Sequence, residues 1–319
     1  MIMNQEMEYV YAVYKEGSIS KAAEKLFITQ PALSIAIKRV EQKYGETLFD
    51  RSRVPLCLTP VGEVYIQKYH AIKALERELQ SQISDIHHLQ KGDLVIGGSN
   101  FIIAYVLAPV LSYFSEIYPN ITIKLLECRS DMTEDYLLDG VIDLCLRHSE
   151  CPPTLRRIKT AFSDLLLVAV PLSYINHYKL PDKWINLEEV MNNEHLNDNC
   201  PSVNFNELAE MPFVLLTKEN NVRKLFSDLV NTHGISPIKK MEVEQLATSY
   251  YLADSGLGAT LASTIMIKKC LSRNLVFFKI NDSSLIRQFY FVGRGKGYIS
   301  KVAAKFMELL RGHYPSNPS

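Results

Sequence analysis

Residues 17–53 constrain this chain more than any other stretch. They read G-S-I-S-K-A-A-E-K-L-F-I-T-Q-P-A-L-S-I-A-I-K-R-V-E-Q-K-Y-G-E-T-L-F-D-R-S-R. Two helical patterns lie there, joined by a tight turn. Gly17 can end a preceding helix, and Ser18 or Ser20 can cap the next by accepting an orphan backbone N–H. Ala22, Ala23 and Leu26 give that helix a small apolar face that a second helix can cross closely. Phe27 and Ile28 form an apolar turn. Thr29 is placed to cap the second helix, and Pro31 falls in its first turn, where a missing N–H costs little. Leu33, Ile37, Val40 and Tyr44 mark one face of that helix. Gln30, Ser34 and Lys38 lie four apart on another face, which is polar and suited to base edges and phosphates. The pattern is that of a helix-turn-helix whose second helix presents its N-terminal residues to the major groove.

The ordered pieces A-A-E-K-L-F-I-T-Q-P-A-L-S, I-K-R-V-E, G-E-T-L-F-D-R and L-T-P-V-G, at their spacing through Gly62, resemble the N-terminal domain of LysR-type transcriptional regulators. The resemblance implies a winged helix-turn-helix over residues 1–59. Its DNA contacts would come from Ser18, Thr29, Gln30, Pro31, Ser34, Lys38, Arg39, Arg51 and Arg53. Gln30 suits bidentate reading of adenine, and Ser34 suits a base or a phosphate. Lys38 and Arg39 suit phosphates, which fix register without reading sequence. Ile35 stands where many members carry a basic or polar residue, so one contact there is missing or apolar, for instance against a thymine methyl. Arg51 and Arg53 belong to the wing. Arg51 also has Asp50 and Glu46 as internal partners, and plain solvation is the bland reading of both arginines.

The chain's 319 residues suggest two or three domains. Formal net charge is zero, which leaves DNA binding to a local basic patch, since affinity follows the phosphates contacted. The N-terminus lacks the pattern of a signal peptide, and no apolar run reaches the ~18 residues of a membrane span. Six scattered cysteines without a C-x-x-C fit reduced thiols in a cytoplasm. No nucleophile elbow, phosphate loop or metal-binding helix motif is present, and no catalytic, metal or cofactor site is assigned.

Residues 3–16 read as a first helix with Met7, Val10, Tyr11 and Tyr14 as its apolar stripe. Thr59-Pro60 then opens a breaker-free helix to about Leu89. Ile72, Leu75, Leu79, Ile83 and Ile86 recur along it as a heptad seam. A seam of that kind needs a partner, either the chain's own C-terminal domain or a second copy. The resemblance makes residues 60–90 a linker helix that forms a homodimer, with a homotetramer as the expected assembly.

Residues 91–319 alternate strands and helices, which argues parallel sheets covered by helices. G-D-L-V-I-G-G-S, Y-P-N-I-T-I-K-L-L-E and L-L-D-G-V-I-D-L-C-L resemble the LysR effector-binding domain, with Cys128 where many members have glycine. The expected fold is α+β overall: the winged domain, the linker helix, then two α/β subdomains of Rossmann-like, periplasmic-binding-protein-like form. Subdomain I takes residues 91–163 and 270–312, and subdomain II residues 164–269. Strands are expected at 94–97, 121–126, 141–146, 165–170, 212–216, 240–243, 259–262, 276–279 and 287–292, the last two returning to subdomain I. The chain should fray from Gly312. Residues 174–210 form an extra element without an assigned function.

Ligands of such sheets bind beyond the carboxyl ends of strands. Ser99, Asn100 and Phe101 follow the first strand, Arg147 the third, and Thr217 and Lys218 the strand at 212–216. Hydroxyls and amides at helix N-termini with a guanidinium suit a small anion such as a carboxylate. The bland readings are caps for Ser99 and Asn100, and a Glu150 pair or solvent for Arg147. His87-His88 reads as solvated helix surface, and Cys145, His148 and Cys151 as a weak thiol or metal pattern. The resemblance implies a transcriptional regulator that binds double-stranded DNA and changes its bend when a small metabolite binds. The competing readings are a two-lobed binding protein or enzyme with an incidental helical N-terminus, and a regulator that ignores small molecules.

Overall fold

Three short helices close the N-terminal core because each contributes a narrow apolar face. α1 (Gln5–Glu16) buries Val10 and Val13, α2 (Ile19–Lys25) buries Ala22 and Ala23, and α3 (Gln30–Tyr44) buries Leu33, Ile37 and Val40. The computed structural model describes residues 5–86, 92–130, 132–148, 151–295 and 297–314. Two residues expected on apolar faces lie outside the core, and so does Phe27 of the apolar turn. Tyr14 and Tyr44 are exposed, and Phe27 is 96% exposed with φ of 56°. A left-handed residue breaks the chain out of α2, which carries the Phe27 side chain away from the packed helices. Ser18 caps α2 by accepting from the Lys21 N–H, and Thr29 caps α3 by accepting from the Ala32 N–H.

The wing is β1 (Phe49–Asp50) paired antiparallel with β2 (Cys57–Leu58). It is tied to the α1–α2 turn by the Leu56 N–H, which donates to the Gly17 carbonyl at 2.9 Å. Gly17 has φ of 58°, and a Cβ there would sit 2.9 Å from that of Pro55, so the turn needs glycine twice over.

α4 (Pro60–Ile86) starts where Thr59 Oγ1 accepts from the Gly62 N–H at 3.0 Å. Its 27 residues span about 40 Å. One face packs on α1, where Tyr69 stacks on Tyr11 at 4.5 Å and donates its hydroxyl to Glu8. A second face docks on the C-terminal region. Arg77 donates to the Val141 carbonyl, and Asp85 accepts from the Tyr298 hydroxyl and the Lys301 N–H, both at 2.8 Å. The third face is the seam: Ile72, Leu75, Leu79 and Ile83 are 38% to 63% exposed. The helix therefore packs on its own chain and still presents an apolar stripe. His87, His88 and the expected end at Leu89 lie outside the described residues, as do the Ile86 side chain and Glu150.

The rest runs β3 (Gly92–Gly98), a π-helical turn (Ile102–Leu107), α5 (Ala108–Ile117), β4 (Ile121–Glu127), α6 (Thr133–Leu138), β5 (Leu144–Arg147), β6 (Leu155–Pro171), α7 (Tyr174–His177), α8 (Leu187–Met191), β7 (Pro212–Leu216), α9 (Asn221–His233), β8 (Ile238–Val243), α10 (Leu246–Asp254), β9 (Thr260–Ser263), α11 (Thr264–Cys270), β10 (Leu275–Phe278), β11 (Ile286–Arg294) and α12 (Lys301–His313). In the first lobe β3 pairs in parallel with β4 and β5, and β11 pairs antiparallel with β5 and with the first half of β6. β6 is 17 residues long, far longer than the strand expected at 165–170. Its last residues enter the second lobe, where they pair with β9 and β10. β7 and β8 extend that lobe as a parallel pair, bridged to it through Phe213 and Ala259.

Three further expectations are corrected. β10 pairs with the second-lobe half of β6, so the chain returns to the first lobe at β11 and not at 276–279. Ile121, Ile123 and Leu125 alternate along the strand expected at 121–126 as one apolar face, but Leu125 is 41% exposed on the edge strand β4. The chain does not fray at Gly312 to Tyr314, because α12 runs to His313 and the Tyr314 hydroxyl donates to the Tyr105 and Val106 carbonyls; the rest of the expected fray, residues 315–319, lies outside the described residues. Residues 174–210 are core cover for the second lobe: Val190, Phe205 and Leu208 are buried, and Ile185 and Val203 bridge to Phe277 and Ile280.

Gly140 has φ of 64°, and a Cβ there would lie 2.0 Å from that of Ala74 on α4. Gly140→Ala is expected to cost about 1–3 kcal/mol by overpacking, on top of the left-handed strain. The check is hydrogen exchange, in which amides of α4 around Ala74 should lose protection before those of β3 and β6.

Candidate DNA interface and ligand cavity

The sides of α3 are sharply divided. Leu33, Ile37 and Val40 are sealed inward, while Gln30, Pro31, Ile35, Lys38 and Arg39 are exposed and Ser34 is half-buried. The expected DNA contacts on α3 therefore share its outer surface, with Thr29 at its cap, while Ser18 stands at the start of α2 and Arg51 and Arg53 in the wing; Lys38 and Arg39 form no ion pair with any described residue. Glu41, on the same helix but buried, accepts from the Leu48 N–H at 3.0 Å and from Arg51 at 2.9 Å. It thereby ties the wing to α3. Arg51 thus pairs with Glu41 and not with Asp50 or Glu46. Asp50 instead meets Arg53 at 3.2 Å, with the Arg53 side chain 70% exposed. Hydrogen bonds from Ser52, with Arg53 nearby, hold the Asp50 carboxyl below its usual range.

Between the lobes lies a cavity of about 360 Å³. Its first-lobe wall includes Ser99, Asn100, Phe101 and Arg147, and its second-lobe wall includes Thr217. The loop order and the strand ends thus bring five of the six expected ligand residues to one space. Lys218 is the exception: it is exposed and does not line the cavity. Its neighbours Thr217 and Glu219 do, because the loop turns there to let Asn220 cap α9 by accepting from the Val222 N–H.

A family model described as "Bacterial regulatory helix-turn-helix protein, lysR family" matches residues 4–63, and one described as "LysR substrate binding domain" matches residues 87–315. The chain belongs to the LysR family of transcriptional regulators. It is a DNA-binding regulator with an effector-binding domain. A probable RuBisCO transcriptional regulator of Cyanidioschyzon merolae is 28% identical over 95% of each chain. A protein of the same description from Synechocystis is 25% identical over 98% of this chain and 87% of that one. The crystal structure of CbnR, a LysR family transcriptional regulator, superposes with a TM-score of 0.66 at 18% identity, covering 97% of this chain and 99% of that one. CbnR has also been solved full-length with its target DNA, with the same TM-score.

The deepest cavity residues of this LysR regulator escaped sequence reasoning. Arg287 and Phe289, both buried, come from β11, and His148 follows Arg147. The Arg287 guanidinium carbon lies 5.3 Å from the Phe101 ring centre and 5.2 Å from that of Phe289. Its Nη2 donates to Asp164, and its Nε has no hydrogen-bond partner. Asp164 also accepts from Ser263 at 2.8 Å and from Thr264. Burial, together with Arg287 and Arg147, pushes the His148 imidazole down to about 3, so it is neutral near pH 7. Nothing in spacing announced Arg287, which meets its carboxylate across 123 residues of chain. The lining residues Arg129, Glu219 and Glu244 were equally silent, since charged loop residues read as solvated.

The weak Cys145–His148–Cys151 pattern holds no metal centre. Cys145 is buried with its thiol pushed up to about 12 by desolvation. Among the described residues no group of three His, Cys, Asp or Glu side chains could hold a metal ion, and no helix is long and apolar enough to cross a membrane.

Two outcomes follow from the buried charges. Asp164→Ala leaves Arg287 without its counter-charge and should cost about 3–5 kcal/mol in urea unfolding, far more than Asp50→Ala on the surface. For His148, the folded pKa lies below the unfolded one, so the unfolded state binds the proton first. That stability is present above about pH 6.5, the ordinary value, and is lost as pH falls toward 3. Unfolding midpoints of His148→Gln should therefore decline less steeply than the parent's between pH 7 and pH 4.

Proposed function

We propose that α3 reads operator DNA through Gln30 and Ser34, that Lys38, Arg39 and Arg53 hold phosphates, and that a small anionic metabolite in the cavity sets how the DNA is held and bent. The observation that carries this is the split of α3 into a sealed apolar side and an open polar side. Thr29 and Pro31 support the reading by fixing where the helix starts, so that Gln30 leads it. Ser18 offers the start of α2 to the backbone, and Arg51 keeps Glu41 neutralised at the base of the wing. The exposure of Ile35 supports an apolar contact with a thymine methyl.

The exposed seam of α4 supports a homodimer, with two recognition helices entering successive major-groove turns about 34 Å apart. Pairs of dimers would form a tetramer. Ser99, Asn100, Phe101, Arg147 and Thr217 line the cavity, and the starts of α9 and α10 open onto it through Asn221, Val222 and Leu246. Helix N-termini with a guanidinium favour a carboxylate or another small anion. The protein is then a binder acting in the cytoplasm, not an enzyme, and it needs no cofactor.

Footprinting and gel shifts on DNA upstream of the gene, with and without small organic acids, test the whole reading. Gln30→Ala should cost about 1–3 kcal/mol on the cognate site and relax its choice at one base pair. Lys38→Ala should weaken all sequences alike and lower the slope of log affinity against log salt by about 1. Equal losses on cognate and random DNA for Gln30→Ala would remove it from the base-reading role.

A further inference from the structure

The charges around the cavity are sorted by lobe. The first lobe contributes Arg129, Arg147 and Arg287 against one lining carboxylate, Glu127. The second lobe contributes Glu219 and Glu244, and no lysine or arginine among its described lining residues. A simple anion would answer only the first of these walls. It would also bring a third negative charge toward the two glutamates. At the back of the cavity Arg287 is 4% exposed, spends Nη2 on Asp164, and leaves Nε without an acceptor. A guanidinium that lines a cavity favours a ligand oxygen over an apolar group.

We propose that the effector is a zwitterion of α-amino-acid type, with its carboxylate toward the arginine wall and its ammonium held by Glu219 and Glu244. The proposal rests on the anion reading of this cavity and adds a cationic group to it. The rings of Phe101 and Phe289 give the same cavity an apolar wall that suits an apolar or aromatic side chain. The cavity volume of about 360 Å³ suits a ligand of amino-acid size. A molecule with opposite charges at its two ends binds both walls only when the lobes face each other closely. It therefore has a differential affinity for the closed arrangement, which is what an effector needs in order to shift a population. Glu219 and Glu244 also stand just ahead of α9 and α10, where a carboxylate favours the positive end of a helix. That role alone would make them indifferent to the ligand's amine.

The test is calorimetric titration of the full-length protein with the standard L-α-amino acids, each beside the acid lacking only the amine, such as L-phenylalanine and 3-phenylpropanoate. At least one amino acid is expected to bind about 10-fold more tightly than its deamino partner. Glu219→Gln with Glu244→Gln should reduce that ratio to near one while leaving the deamino acid's affinity within about 3-fold. Deamino acids that bind as well as or better than amino acids would overturn the zwitterion and leave the anion cavity standing. An amine preference that survives both substitutions would overturn the role of the two glutamates. Absence of binding by either series would sink the carboxylate reading together with the zwitterion. The comparison on the unsubstituted protein stands whether or not the variants fold.

Discussion

Asp164 is the group that the two-lobed half of this regulator cannot do without. It sits, almost wholly buried, where β6 leaves one lobe for the other. Its oxygens accept from Ser263 and Thr264 on the second-lobe side and from Arg287 on the first-lobe side. A desolvated ion pair of this sort contributes little compared with a well-packed apolar pair, so stability alone does not account for it. What it contributes is position. The guanidinium is held against the rings of Phe101 and Phe289 in the cavity wall, with Nη2 spent on the hinge carboxylate. The same carboxylate therefore sets the hinge and prepares the cavity.

The strands that line the cavity also reach the linker helix. β11 carries Arg287 and Phe289 near one end and Arg294 at the other, where Arg294 meets Glu78 of α4 at 3.6 Å. Seven residues of strand make that lever about 23 Å long. β5 repeats the arrangement: Arg147 closes it at the cavity, while Val141, three residues ahead of the strand, accepts from Arg77 of α4. Past β11 the chain turns to Tyr298 and Lys301, which grip Asp85 near the end of α4. Contiguity is not coupling, which requires two arrangements that both sites bias. It does mean that the strands lining the cavity and the surface on which α4 rests belong to the same elements.

The DNA-binding half was legible because its signals are local. A cap at Thr29, a proline two residues later and apolar residues at helical spacing specify α3 from within fifteen residues of chain. The strand ends that carry Ser99, Arg147 and Thr217 were legible for the same reason. The readings that failed required knowledge of partners distant in sequence. Arg287 looks like any strand arginine until β11 is laid against β6, and the charged start of β6 hides a strand whose pairing comes from residues 286–294. Lys218 was misread because a cation after a strand suggests a ligand, whereas the loop exposes it and presents its neighbours.

A chain of zero net charge can meet a polyanion only if its charges are spent unevenly. On α1, α2 and α4 they are largely spent on each other: Lys25 on Glu16, and Lys73 on Glu8 and Glu76. On the outer side of α3, Lys38 and Arg39 are paired with no described residue. The one carboxylate that intrudes there, Glu41, is buried and used twice, by the Leu48 N–H and by Arg51. Removing Glu41 would free a cation for DNA but release the wing from the recognition helix. A guanidinium on a loose hairpin pays its ordering entropy again at every encounter, while one anchored to α3 arrives in register. Arg51 thus gives up reach so that Arg53, two residues further along the wing, can be positioned.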